Sequence, residues 1–247
     1  MPRLMFACFL LGGLIPEPTP TDYCATSYCD AGLTNVGCNP PPLTGGPTCD
    51  GKEPLVIGIG QAEIDYILDL LNTLRSEFAS GAHDPTFPTA SRMPILQWNV
   101  ELAKQAGNNA RYCLLNLDQC HNTAEFSNSG QGFQFFANND AMNTNQILLE
   151  SIKNVKAEKN AYAFGSLSYT SYISSNDGTR LLANVLNDRS SKVGCAVQHF
   201  KHYDLPGYLL VCNFSDNLVD DEPLYTQGTT GSDCSTISTS YSGLCAA

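Results

Sequence analysis

Apolar residues recur at steps of three and four between Gly60 and Ser80. Ile64, Ile67, Leu68, Leu71, Leu74 and Phe78 share one face of a predicted helix, and Gly81 is a natural stop. The period returns from Trp98 to Cys113 through Leu102, Ala103, Ala106, Ala110 and Cys113, with Asn99 as the expected N-cap. The alanines and glycine of this second helix predict close approach to a neighbouring element. A third helix is predicted over about Thr144 to Ala161 (Ile147, Leu148, Ser151, Ile152, Val155), and a shorter fourth around Arg180 to Asn187. Two runs rich in Val, Tyr, Phe and Leu, Val193 to Phe200 and Tyr208 to Phe214, read as strands, with Pro206-Gly207 between them as the turn signal. Residues 116–140, polar and rich in Asn and Gln, read as a long irregular connection. Residues 21–57, rich in Cys, Pro, Gly, Asn and Thr, have almost no periodicity. Helices segregated from an antiparallel hairpin indicate an α+β layered domain.

The chain of 247 residues is long enough for one large domain or two small ones. Its start changes the picture of where it works. Met1-Pro2-Arg3 is a short basic start, Leu4 to Ile15 is apolar but too short to span a bilayer, and Pro16 to Pro20 breaks any helix. Residues 1–20 therefore read as a secretory signal rather than a buried N-terminal helix, and no later apolar run is long enough to cross a membrane. Removal of the signal takes Cys8 out of a total of 11 cysteines and leaves an even set, which in a secreted chain is a disulfide framework. Zinc is the weaker reading. No second close cysteine pair follows Cys24 and Cys29, and His199 and His202 would point to opposite faces of a strand. Cys195 and Cys212, one in each strand-like run, form the simplest local bridge. The signal also takes away one base, Arg3, and one acid, Glu17, so the net charge of −11 stands. Such a charge argues against nucleic acid, whose phosphates need a basic patch, and against docking on anionic lipid head groups.

Several segments, in order, resemble the CAP superfamily of cysteine-rich secretory, antigen 5 and pathogenesis-related proteins, and are most similar to insect antigen 5 (venom allergen-like) proteins. They are Asp22-Tyr23-Cys24 with Cys29 and Cys38; Leu71-Asn72-Thr73-Leu74-Arg75, where the family has His-Asn-x-x-Arg; and Met93 through Leu96, Trp98 and Glu101-Leu102-Ala103. Gly130-Gln131, Asn187-Asp188-Arg189, Val193-Gly194-Cys195-Ala196, Tyr208 to Ser215, and the tail Tyr225, Gly228, Cys234 and Cys245 complete the series. The resemblance implies an α-β-α sandwich with a loop-rich, disulfide-pinned N-terminal arm (21–57), a CAP domain (58–220) and a disulfide-closed tail (221–247). It also implies bridges Cys24–Cys38, Cys29–Cys120, Cys49–Cys113 and Cys195–Cys212, which leaves Cys234 for Cys245.

Many relatives hold a divalent metal, often zinc, in a cleft with two histidines and one or two acids. Carried over residue by residue, those positions are Leu71, Gln131, Glu158 and Leu181. Three lack an ionisable ligand, and a lone carboxylate has no second ligand with which to share a metal, so no metal and no other cofactor is expected. No Gly-x-Ser-x-Gly elbow or His-Glu-x-x-His motif is present, and every cysteine of the mature chain has an expected partner. His83-Asp84 reads as a surface loop and His121 as part of a disulfide-anchored loop. A non-catalytic, monomeric, extracellular protein is expected. It would bind a lipid or sterol between helices, or, as the alternative, serve as an interaction or signalling module for a protein partner in saliva, reproductive fluid or haemolymph; a protease is the third reading, set behind these because the histidines such an activity would need are missing. Asn213, in Asn213-Phe214-Ser215, is a candidate glycosylation site. Asp220-Asp221-Glu222 reads as a solvated turn rather than a calcium loop.

Overall fold

The computed structural model describes residues 21–83, 87–158 and 177–247. The predicted signal, Asp84 and the last residues of the third predicted helix lie outside them. Helix α1 (Gln61–Ala79) starts at Gly60, whose N–H donates to Glu63 Oε2 at 3.0 Å. Helix α2 (Val100–Ala110) is capped by Asn99, whose side-chain oxygen accepts from the N–H groups of Glu101 and Leu102. Helix α3 (Thr144–Ala157) opens on a reciprocal capping box between Asn143 and Gln146. Helix α4 (Asp177–Leu186) starts three residues earlier than the sequence pattern predicts.

Strands β1 (Leu55–Ile57), β3 (Gly130–Ala137), β4 (Lys192–His202) and β5 (Leu205–Phe214) form an antiparallel sheet in the order β1-β4-β5-β3. A two-residue strand, β2 (Gln97–Trp98), pairs with β4 in parallel. Side chains alternate between the two faces. Val193, Cys195 and Val197 of β4, with Leu210, Cys212 and Phe214 of β5, pack against α1, α3 and α4. Phe200 of β4, Leu209 and Val211 of β5 and Phe133 of β3 pack against Ala106 and Ala110 of α2. The result is the implied α-β-α sandwich. Two glycines let the helices approach the sheet. A Cβ on Gly194 would lie 2.1 Å from the backbone nitrogen of Ala103 in α2, and one on Gly132 would lie 2.6 Å from the Cα of Leu181 in α4.

Three expectations are corrected. The stretch 116–140 is not irregular throughout, because it contains β3, paired over its whole length with β5 from Gly130↔Phe214 to Ala137↔Gly207. Residues 55–57 belong to the sheet, as β1, rather than to the arm. The hairpin turn falls on Tyr203 and Asp204, consecutive residues with φ of 49° and 63°, the two-residue pattern that suits the twist of a hairpin. Pro206 and Gly207 lie inside β5, where a Cβ on Gly207 would meet the Phe135 ring at 2.4 Å, so this glycine serves packing rather than turning.

Five disulfides join Cys24–Cys38, Cys29–Cys120, Cys49–Cys113, Cys195–Cys212 and Cys234–Cys245, the pairs that the resemblance implies. Cys195 and Cys212 are directly opposite on β4 and β5. The tail is part of the core: Leu224, Tyr225 and Leu244 are buried with the helices, and Cys245 N–H donates to Met93 O at 2.8 Å.

Candidate functional site

Two places on the α1/α3/α4 side of the sheet bear on function. The first is the set of positions to which the family resemblance carries the metal ligands, Leu71, Gln131, Glu158 and Leu181. Leu71 of α1 and Leu181 of α4 are fully buried members of the main core. Glu158 caps α3 and accepts from Thr179 Oγ1 at 3.2 Å. Gln131 is not in that company. It pairs with Asn213 in the β3–β5 ladder, and its side chain lies on the α2 face of the sheet. There its Nε2 donates to Asp118 Oδ2 at 2.7 Å and to Asn213 Oδ1 at 2.9 Å, while its Oε1 accepts from Asp118 N–H at 3.0 Å. Only its backbone carbonyl meets α4, accepting from Arg180 Nε and Asn184 Nδ2. The β3 residue on the helical side beside Glu158 is Gln134. An added Cβ on Gly178 would touch both, at 2.4 Å from Gln134 Oε1 and 3.0 Å from Glu158 Cγ. The four inferred positions are thus not one cluster, and two of them carry only hydrocarbon. They do not fit a metal, and among the described residues no group of three or more His, Cys, Asp or Glu is placed to hold one.

The retained part of the Leu71-Asn72-x-x-Arg75 motif is structural. Asn72 clamps Leu96 through both backbone groups, accepting from its N–H at 2.7 Å and donating to its carbonyl at 3.0 Å. Arg75 is completely buried, and its guanidinium donates to the carbonyls of Val185, Asn187 and Ser190, which tie α1 to the end of α4. Burial pushes its pKa down to about 9, still charged at neutral pH.

The second place is a groove between α1 and α3. Asp69, Leu70, Thr73, Leu74 and Glu77, at helical spacing on α1, face Leu149, Ile152, Lys153 and Lys156 of α3 across a volume of about 250 Å³. Leu70, Leu74, Leu149 and Ile152 make the walls apolar. Lys156 closes one end by an ion pair with Glu77 at 2.6 Å, and Tyr241 of the tail donates to Asp69 at 3.0 Å. The helical periodicity identifies both helices, but no sequence signal says that their facing edges are left partly apart.

The other candidates from the sequence have structural neighbours. His83 is not on an exposed loop: its ring stacks on Phe78 at 4.3 Å and lies edge-on to Phe87. His121 bridges Asp118 Oδ1 at 2.6 Å and the carbonyl of Ser129 at 2.9 Å, beside the Cys29–Cys120 bridge. Asn213 is fully buried inside β5, with its Nδ2 directed to Leu102 O, a placement that speaks against a glycan on the folded chain.

The three-layer sandwich carries five bridges, and disulfides persist in oxidising compartments. The cysteine-rich secretory protein family (CAP) matches residues 68–214, and the chain belongs to that family. Venom allergen-1 of Aedes aegypti is 36% identical over 238 residues, spanning 90% of this chain and 88% of that protein. Tabinhibitin 3 of Tabanus yao is 28% identical over 245 residues, spanning 98% of this chain and 94% of its own length. The crystal structure of NaASP2 with Zn2+ superposes with a TM-score of 0.60 at 22% identity, covering 76% of this chain and 97% of that one. Among the described residues no helix is long and apolar enough to cross a membrane.

Proposed function

We propose that this chain is a secreted, non-catalytic binding protein that takes an apolar molecule with an acidic head group, such as a fatty acid, between α1 and α3. The observation that carries the reading is the composition of the groove. Its walls are aliphatic, and on its α3 side Lys156 is paired with Glu77 at 2.6 Å while Lys153, in a looser 3.5 Å pair with Glu150, is the cation that would meet the head group. An apolar pocket with a few polar groups that fix orientation is the general form of a small-molecule site. The cleft positions inferred for metal supply no ligand set, which removes metal-assisted chemistry from this reading.

A fluorescent fatty acid tests it. The probe is expected to bind with one-to-one saturation, and Leu149→Trp, which fills the groove, to abolish binding while the melting temperature is kept. Binding that is unchanged in Leu149→Trp contradicts the assignment.

A second reading, the protein-partner module, has one specific observation in its favour. Tyr203 stands 88% exposed at the tip of the β4–β5 hairpin, and exposed tyrosines are frequent interface anchors. The relatives named tabinhibitin are in keeping with it. If a partner captured from the animal's own tissue is lost with Tyr203→Ala but kept with Leu149→Trp, this second reading displaces the first.

A further inference from the structure

On the opposite side of the sheet from that groove, α2 and β1 leave a slot of about 170 Å³. Its walls are Val56, Ile57 and Ile59 on one side and Gly107 and Ala110 of α2 on the other, over Ala196 of β4. Two nitrogen-bearing side chains complete the lining, and both are short of partners. Gln198 is 1% exposed, and its Nε2 has no hydrogen-bond acceptor. Arg111, at the C-terminal end of α2, has a buried Nε that is likewise unsatisfied. Its Nη2 donates to the neutral Asn108 side chain, and no carboxylate pairs with it among the described residues. Partial burial holds the Arg111 pKa below its ordinary value.

Buried donors without acceptors are rare, because each has given up its hydrogen bond to water and gained nothing in return. Here an amide nitrogen and an uncompensated guanidinium line the same apolar slot. We propose that this slot binds a small carboxylic acid whose apolar body is the size of a benzene ring. The carboxylate supplies the acceptor for Gln198 and both acceptor and counter-charge for Arg111. The slot volume is close to that of the roughly 150 Å³ apolar cavity known to take up benzene, so one ring or a short branched chain fills it. The site is separate from the α1/α3 groove and does not depend on the function proposed for it.

Calorimetric titration of the full chain with phenylacetate tests the proposal, with the uncharged phenylacetamide as comparison. Phenylacetate is expected to bind one to one, and phenylacetamide about tenfold more weakly or not at all, as the loss of a charge-assisted hydrogen bond implies. Gln198→Leu and Arg111→Met are each expected to weaken phenylacetate by about tenfold for the same reason. Ala196→Leu, which fills the slot, abolishes binding. Should that variant fail to fold, Gly107→Ala serves instead: its added carbon meets Ala196 Cβ at an ordinary 3.6 Å and narrows the slot without a clash. Leu149→Trp leaves phenylacetate binding unchanged. The proposal is overturned by the absence of saturable binding, by equal binding of the amide, by binding that survives both Gln198→Leu and Arg111→Met, or by binding lost in Leu149→Trp.

Discussion

At the residue scale, a family position and a functional position need not coincide. Gln131 is the position to which the resemblance carries an acid of the metal cleft, yet its side chain is spent on Asp118 and Asn213 on the α2 face. Removing it takes a donor from Asp118 Oδ2 and from the buried Asn213 Oδ1, although Asp118 keeps His121 and Asn109, so Gln131→Leu is expected to lower stability by about 1–3 kcal/mol. Urea denaturation checks this, and an unchanged midpoint contradicts it. Burial also bears on the sequon at Asn213. Intact-mass measurement of the protein secreted from insect cells is expected to show Asn213 without a glycan. Leu71 was legible in sequence as a packing residue because it extends the apolar stripe of its helix. The orientation of Gln131 was not, because strand alternation identifies a face only once the strand itself is recognised. The run Gly130-Gln131-Gly132-Phe133-Gln134 carries two glycines and two glutamines, which hid β3 inside a polar connection.

At the scale of elements, the helices were legible because each carries a long apolar stripe, and α2 and α3 carry side-chain caps at Asn99 and Asn143. The sheet was legible only in its two central strands. β1 and β2 have three and two residues, too short to show a period. Both helical layers sit directly on glycine. Gly194→Ala drives a methyl group into the backbone of α2, so a loss of about 1–3 kcal/mol or more is expected from overpacking. Thermal melting measures it, and an unchanged melting temperature would show that α2 does not rest on β4 in this way. The turn of the β4–β5 hairpin falls three residues earlier than Pro206-Gly207 because Tyr203 and Asp204 take the positive-φ positions themselves.

At the scale of the whole molecule, the arm and the tail are joined to the sandwich by bridges and by buried side chains. Tyr225 anchors the tail: its hydroxyl donates to Pro88 O at 2.8 Å, and burial raises its pKa. Tyr23 anchors the arm by donating to Glu101 at 2.6 Å, and its pKa is raised by burial and then by Glu101. A tyrosine with a raised folded-state pKa keeps its proton when the unfolded chain has lost it. Its contribution is present in full below the unfolded value and falls as pH rises past about 10. Arg75, lowered to about 9, acts in the opposite direction over the alkaline range. Comparison of Tyr225→Phe with the parent isolates the tail: denaturation between pH 8 and pH 11 is expected to show a shallower alkaline loss in the variant. Parallel profiles would place the tail's anchor elsewhere. The same stapled frame leaves α1 and α3 apart along one groove, with apolar walls and lysines on one side, and it carries no ligand set at the inferred metal positions.

Native mass spectrometry of the chain secreted from insect cells tests the central claim most directly. One apolar acid per chain, absent from Leu149→Trp, with no zinc in the spectrum, is the result this account predicts. A stoichiometric zinc adduct, or a chain that emerges without ligand and takes up no fatty acid when offered it, would contradict it.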